Sequence, residues 1–243
     1  MFDGGLKLFR KLLMMCAAAL SLTGCDQNLT ATLYARDINE LLAAAEEKSL
    51  PLDVEIEILE MGIDKQCSKP EGAKLVEAVS SVFEKAALVG CENISGSMND
   101  RMVIKATTSL SLALTNEVKP GPYLVHFNVQ KTDEPNRAFI VARFNAQKYE
   151  ALNQALRRVS PMASIKIENS RVVVKINNDE RSPVTLYPFF GTFAEGDPVD
   201  NDWSATLEPR QEVTIKTGDV KTAFLAKNGW AGIANVRTEN TSN

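Results

Sequence analysis

The clearest signal along the chain is alternation. Residues 52–59 read LDVEIEIL, with Val54, Ile56 and Ile58 on one side and Asp53, Glu55 and Glu57 on the other. A period of two marks a strand with one buried and one wet face. Residues 29–34 (LTATLY) read as an earlier strand, and further strands are predicted over 101–115, 122–131 and 137–143. In the first of these, Leu110, Leu112 and Leu114 alternate with Ser109, Ser111 and Ala113. In the second, Tyr123, Val125, Phe127 and Val129 alternate with Leu124, His126, Asn128 and Gln130. Pro120-Gly121-Pro122 turns the chain between them.

Three segments switch to a helical period. Ile38, Leu41, Leu42 and Ala45 share one face, with Asp37 as the expected N-cap, Glu40 completing a capping box, and Pro51 ending the unit. A second helix is predicted over 71–89, with Leu75, Val79, Val82, Phe83 and Ala86 as its stripe and Gly90 just past its end. Asn145 caps a third, with Tyr149, Leu152, Leu156 and Val159 on one face and Ser160-Pro161 as its stop.

Beyond Pro161 the pattern becomes strand-rich. A hairpin is expected from 164–168 and 171–177 around Asn169-Ser170. An apolar, aromatic stretch (184–193) and short strands at 203–207 and 211–217 follow. A short helix from Asp219 to Lys227, stopped by Asn228-Gly229, leads into a last strand over 230–238. The expected fold class is therefore α+β. Residues 25–160 would form an antiparallel sheet with about three helices, and residues 161–243 a β-rich part resembling a small sandwich. The second part would instead continue the first sheet if the absence of a Gly/Ser-rich linker is decisive.

Composition narrows the class. The 243 residues are 44% hydrophobic and 24% charged, as in ordinary globular proteins. Lys and Arg number 27 against 31 Asp and Glu, a net charge of −4. A nucleic-acid partner is not expected without a basic excess. One histidine among 243 residues leaves little for His-based metal sites, and no cofactor motif appears.

The N-terminus reads as an address. Lys7, Arg10 and Lys11 precede an apolar run from Leu12 to Leu20, too short to span a bilayer and typical of a secretory signal peptide, here residues 1–24. Leu22-Thr23-Gly24-Cys25 follows directly and resembles the lipobox of bacterial lipoproteins. That resemblance implies a diacylglycerol thioether on Cys25, cleavage before it and acylation of the new amine. Several acyl chains give stable anchoring where one does not. Asp26 resembles the enterobacterial signal for retention in the inner membrane. The chain would then be lipid-anchored and face the periplasm.

Cys16 leaves with the leader and Cys25 is lipidated, so Cys67 and Cys91 remain in a compartment that permits disulfides. They are expected to pair across the second helix, or else to be buried free thiols. No CxxC redox motif is present. The strand, the capped helix, PLDVEIEI, and a cysteine on each side of a helix together resemble an uncharacterised family of short enterobacterial and prophage lipoproteins. That family brings no activity, but supports the anchor and the Cys67–Cys91 pair.

Other residues carry groups capable of chemistry. His126 would serve as a general base only if a second group held it; alternation places it on a wet strand face. No Gly-x-Ser-x-Gly elbow accompanies it. Glu195, Asp197, Asp200 and Asp202 offer oxygen ligands for calcium, but without EF-hand spacing they read as a solvated turn. Asp53, Glu55 and Glu57 are a strand's wet face. Tyr187, Phe189, Phe190, Phe193, Trp203, Phe224 and Trp230 are expected mainly in the core. Arg157 and Arg158 suit a helix C-terminus. Three Asn-x-Ser/Thr sequons, at Asn28, Asn93 and Asn240, are incidental in a bacterial lipoprotein.

The resulting expectation is a membrane-anchored, non-catalytic binding module with an envelope protein partner. The alternatives are an envelope hydrolase acting on peptidoglycan, glycan or lipid, and a carrier of lipid or another hydrophobic ligand.

Overall fold

Among the described residues thirteen strands, β1–β13, join in one sheet that curls into a half-barrel in the computed structural model. The structure describes residues 25–60, 66–83, 87–95, 100–114, 123–134, 136–161 and 163–238. The signal peptide, Cys16, the Pro120-Gly121-Pro122 turn and the Asn240 sequon lie outside these residues.

The N-terminal strands are β1 (Cys25–Tyr34), β2 (Lys48–Glu60), β3 (Ala87–Ile94), β4 (Asp100–Ala113), β5 (Val125–Lys131) and β6 (Arg137–Phe144). The later strands are β7 (Ile165–Asn177), β8 (Val184–Pro188), β9 (Thr192–Ala194), β10 (Asp197–Pro198), β11 (Ala205–Leu207), β12 (Glu212–Thr217) and β13 (Trp230–Thr238). Four α-helices are described: α1 (Ala35–Ala44), α2 (Pro70–Val82), α3 (Ala146–Val159) and α4 (Asp219–Asn228).

The order across the sheet is β10-β9-β12-β7-β1-β2-β4-β5-β6-β13-β8-β11, with β3 also on β4. The expected α+β class, an antiparallel N-terminal sheet followed by a small sandwich, is therefore corrected. The fold is mostly β, and late strands flank early ones on both sides. Two pairings, β1 with β7 and β4 with β5, are parallel. The long β4 shares one edge between β3 (from Arg101 to Thr107) and β5 (from Ser111 to Ala113). Period-two patterning reveals which residues are buried but not which strand lies beside which. That is why the sequence suggested a separate unit.

One continuous core fills the curl. Leu29 and Leu33 of β1, Val54, Ile56 and Ile58 of β2, and Ile104 and Leu110 of β4 meet Val174 and Ile176 of β7 and Val236 of β13. Helices cap this core with Ile38 and Leu41, Leu75 and Val79, Tyr149, Leu152 and Leu156, and Leu225. Helix α4 packs against both β7 and β13, which are well separated in strand order, so it bridges the curled sheet.

Several local expectations are revised. Helix α1 starts at Ala35, and Asp37 is not its N-cap. The backbone N–H of Arg36 donates instead to Asp179 Oδ1 at 3.0 Å, a cap supplied from beyond β7. Asp37 and Glu40 both receive Lys48 Nζ, and these bonds hold the ammonium in its charged form, raising its pKa. Pro51 lies inside β2 rather than ending a unit, and the β1 pairing stops beside it at Leu52. A proline lacks the N–H that further pairing would need.

Helix α2 ends at Val82, where Phe83 turns extended and buries its ring. Gly90 sits within β3 at a register shift. The expected hairpin at Asn169-Ser170 is one unbroken strand, β7. Neither residue adopts the positive φ that a tight hairpin requires. Ser170 is fully buried and donates to Gln27 Oε1 at 3.1 Å. The Asn145 cap is as expected, with its side chain accepting from the backbone N–H of Gln147 and Lys148.

Cys67 and Cys91 are disulfide-bonded, with Cα atoms 5.8 Å apart and a sequence separation of 24. The bond ties the 3-10 turn before α2 (Gln66–Ser68) to β3. The backbone N–H of Cys67 also donates to Asn93 Oδ1. Closing a loop of this length stabilises by about 3 kcal/mol through the unfolded chain. We expect the double variant Cys67→Ala/Cys91→Ala to lose about that much in urea denaturation, and reductant to destabilise only the wild type. Equal midpoints for the two proteins would contradict this.

Candidate functional site

The outward positions of five adjacent strands form a polar groove. Alternation points Asn28 and Thr30 of β1, Asp53 and Glu55 of β2, and Lys105 and Thr107 of β4 away from the core. Register then lines them up in two rows. In one, Lys216 of β12, Val173 of β7, Thr30, Asp53 and Thr107 are successive cross-strand partners. In the other, Arg171, Asn28, Glu55 and Lys105 are. At about 4.8 Å per strand the groove runs for roughly 20 Å.

Two cavities, of about 540 and 460 Å³, lie along it and share Lys216. The second is lined by Arg171, Phe193, Thr214 and the start of α4.

Charge in the groove is ordered. Arg171 and Lys216 stand at one end, the carboxylates Asp53 and Glu55 in the middle, and Lys105 at the far side. Thr107 donates to Asp53 Oδ1 at 2.7 Å, and Asn28 Nδ2 to Glu55 Oε1 at 3.2 Å. Lys105 pairs with Glu92 of β3 at 2.5 Å, which together with Glu55 raises its pKa. Asp53 and Glu55 were legible as a strand's wet face. Their partners were not, because those lie on strands distant in sequence.

The other half of the sheet has a different chemistry. The expectation of a solvent-facing His126 is corrected: its side chain is 5% exposed. Strand β5 is interior, flanked by β4 and β6, and the ring of Tyr123 meets the imidazole edge-on at 5.7 Å. His126 Nε2, Asn128 Oδ1, Arg143 Nε and Asn235 Oδ1 are buried without hydrogen-bond partners on one face of β5, β6 and β13. A hydrolytic role would need His126 to activate a nucleophile. Its cross-strand neighbour Ser111 gives its hydroxyl to Glu47 instead, at 2.6 Å.

The aromatic expectation is also corrected. Phe190, Phe193, Phe224 and Trp230 are exposed, and Tyr187, Phe189 and Trp203 are half-buried. Trp203 packs against the rim of the core, while the Phe224 and Trp230 rings meet edge-on at the surface. Arg137 lies over Tyr187 and Lys221 over Phe189.

Around the 195–202 segment, Glu195 accepts the backbone N–H of Thr214, and Asp200 that of Asp202. Among the described residues no three His, Cys, Asp or Glu side chains converge as a metal site would require. Cys25 begins β1, and its side chain lies outside the described residues. It is not brought together with Cys67 and Cys91, which sit on the 3-10 turn and β3. Arg157 and Arg158 are exposed in the last turn of α3.

The comparison with known families covers almost all of this architecture. Residues 27–240 match a domain of unknown function, DUF7424. The chain belongs to the DUF7424 family. The match to DUF7424 runs from the third residue of β1 past the end of β13, so one family domain includes both ends of the sheet. No curated protein and no solved structure matches the chain. Among the described residues no helix is long and apolar enough to cross a membrane.

Burial lowers the pKa of His126, opposed in part by the charge of Glu47. A base whose folded pKa falls below its ordinary 6.5 binds fewer protons folded than unfolded. Its contribution is therefore present above pH 6.5 and lost as the pH falls through the folded value. We expect stability to decline with acidification below that pH by at most about 1.4 kcal/mol per pH unit from this group. Urea midpoints measured across the range should fall less steeply for His126→Gln. Parallel curves would show that His126 does not carry the effect.

Proposed function

We propose that this DUF7424 chain is a periplasm-facing lipoprotein, anchored through Cys25, whose folded part is a non-catalytic binding module for an envelope protein. The observation that carries the binding reading is the ordered groove across β12, β7, β1, β2 and β4. Its backbone is already paired, so recognition falls to side chains. Arg171 and Lys216 suit an acidic group on the ligand, and Asp53 and Glu55 suit a basic one about two strands further along. An extended polypeptide segment carrying both charges fits this arrangement. The polar lining of the groove fits such a ligand better than a lipid tail.

The anchor rests on the Leu22-Thr23-Gly24-Cys25 lipobox behind a basic, apolar leader, and the inner-membrane assignment rests on Asp26. The similarity to enterobacterial and prophage lipoproteins supports the same reading. Lipid attachment at the first residue of β1 would leave almost no spacer between membrane and fold, holding the domain against the bilayer.

Two experiments test these parts separately. Intact mass of the membrane-purified protein should show a processed, acylated chain beginning at Cys25, and Cys25→Ala should abolish both changes. An unprocessed, unmodified wild type would overturn the anchor. For the groove, a photo-crosslinking residue at Thr30 should capture one envelope protein in intact cells, and Lys216→Glu with Glu55→Lys should reduce the yield at least tenfold. No adduct at Thr30, or an adduct insensitive to charge reversal, would overturn the groove as the binding site.

A further inference from the structure

Helix α4 is apolar on both sides. Thr222 and Leu225 face the core, while Val220 is 78% exposed and Phe224, one turn on, 44%. Phe190, 72% exposed, extends this surface from the turn between β8 and β9. Its neighbour Gly191 accepts the N–H of Gly218 at the start of α4, and a Cβ there would lie 3.5 Å from Lys221 Cε. Trp230, 42% exposed, completes the patch, with its ring meeting Phe224 edge-on at 5.5 Å.

Cations frame the patch. Arg143 lies 6.0 Å from the Trp230 ring, and Lys221 Nζ lies 5.7 Å from the Phe189 ring. Lys227 is exposed on the last turn of α4. Asp219 is the one acidic residue of α4 and sits at its start, near Arg171. This local basic bias contrasts with a chain whose net charge is −4. Aromatic tips with lysine and arginine around them are the chemistry that settles at a membrane–water interface.

Position points to the same occupant. Arg171, 4.0 Å from Asp219 at the start of α4, is in register with Asn28, three residues after Cys25. At the other end of α4, the Gly229 carbonyl accepts the N–H of Phe144. The Phe144 ring packs on Tyr149, whose hydroxyl donates to Gln27 Oε1 at 2.7 Å. The start of α4 thus lies close to the first residues of β1.

We propose that Phe190, Val220, Phe224 and Trp230 form a membrane-docking surface that inserts at the headgroup level of an anionic bilayer, with the exposed Lys227 and the half-buried Lys221 meeting lipid phosphates. The side of approach rests on the anchor reading; the affinity of the patch for anionic lipid does not. Docking there would leave the polar groove beside α4 open to a partner.

The test uses residues 25–243 carrying Cys25→Ala, so neither the leader nor a lipid can account for binding. Trp203→Phe in that background leaves Trp230 as the reporter. Vesicles with one-quarter phosphatidylglycerol in phosphatidylcholine should bind it at low salt, blue-shift its emission and quench it when the acyl chains are brominated. Pure phosphatidylcholine should bind at least tenfold more weakly. Phe190→Ser with Val220→Ser should weaken binding at least tenfold, and Lys227→Glu should do so severalfold. Circular dichroism confirms the fold of each variant, and quenching by brominated lipid needs no surface variant. Absence of binding, binding without quenching, or binding unaffected by these changes would overturn the proposal. So would a patch variant that loses only an envelope protein, which would assign the surface to that partner. Failure of Cys25 acylation in the mass experiment would remove the anchor and leave this result standing.

Discussion

Parallel pairing of β1 with β7 is the constraint on which the rest of the fold depends. Nine residues of β1, from Gln27 to Tyr34 and at Cys25, find partners on a strand that begins 140 residues after Cys25. Their other edge pairs with β2. Closing so long a loop is entropically unfavourable, and the pairing has to be secured by side chains. At one end, Gln27 Oε1 accepts from both Tyr149 and Ser170 inside the core. Burial pushes the Tyr149 hydroxyl pKa upward, and the bond with Ser170 opposes this only in part. At the other end, the Arg36 guanidinium and backbone both reach Asp179, and Asn39 reaches Glu180.

This seam also makes the surface features. The groove exists because β1 lies between β2 and β7, placing Asp53 and Glu55 on one side of Asn28 and Thr30 and Val173 and Arg171 on the other. Helix α4 begins beside the start of the same strand. One pairing thus sets a polar recognition surface beside an apolar, basic-edged one, near the residue where the lipobox would place the lipid. The proposed functions are linked by this geometry.

Much of the local structure was legible in residue order. Alternation in LDVEIEIL put Val54, Ile56 and Ile58 inside, and the helical stripe of Tyr149, Leu152 and Leu156 is buried as expected. Asn145 caps its helix because the bond is local and needs nothing beyond its own first turn. Where tertiary partners intervened, local rules failed. Asp179 replaced Asp37 as the cap of α1. Ser170 remained in a strand because Gln27 offered a buried bond. His126 is buried with the Tyr123 ring edge-on against it, and Phe190, Phe193, Phe224 and Trp230 lie outside the core.

The sequence alone determined what depends on short spacing: strand period, helix stripes, the Asn145 cap and the parity of Cys67 and Cys91. Each is encoded within a few turns of chain or in the count of reactive residues. Tertiary structure alone decided strand order, the union of early and late strands in one sheet, and which polar side chains share a groove. Those outcomes depend on pairings between residues up to about 140 positions apart, and a period of two is satisfied equally by any neighbour.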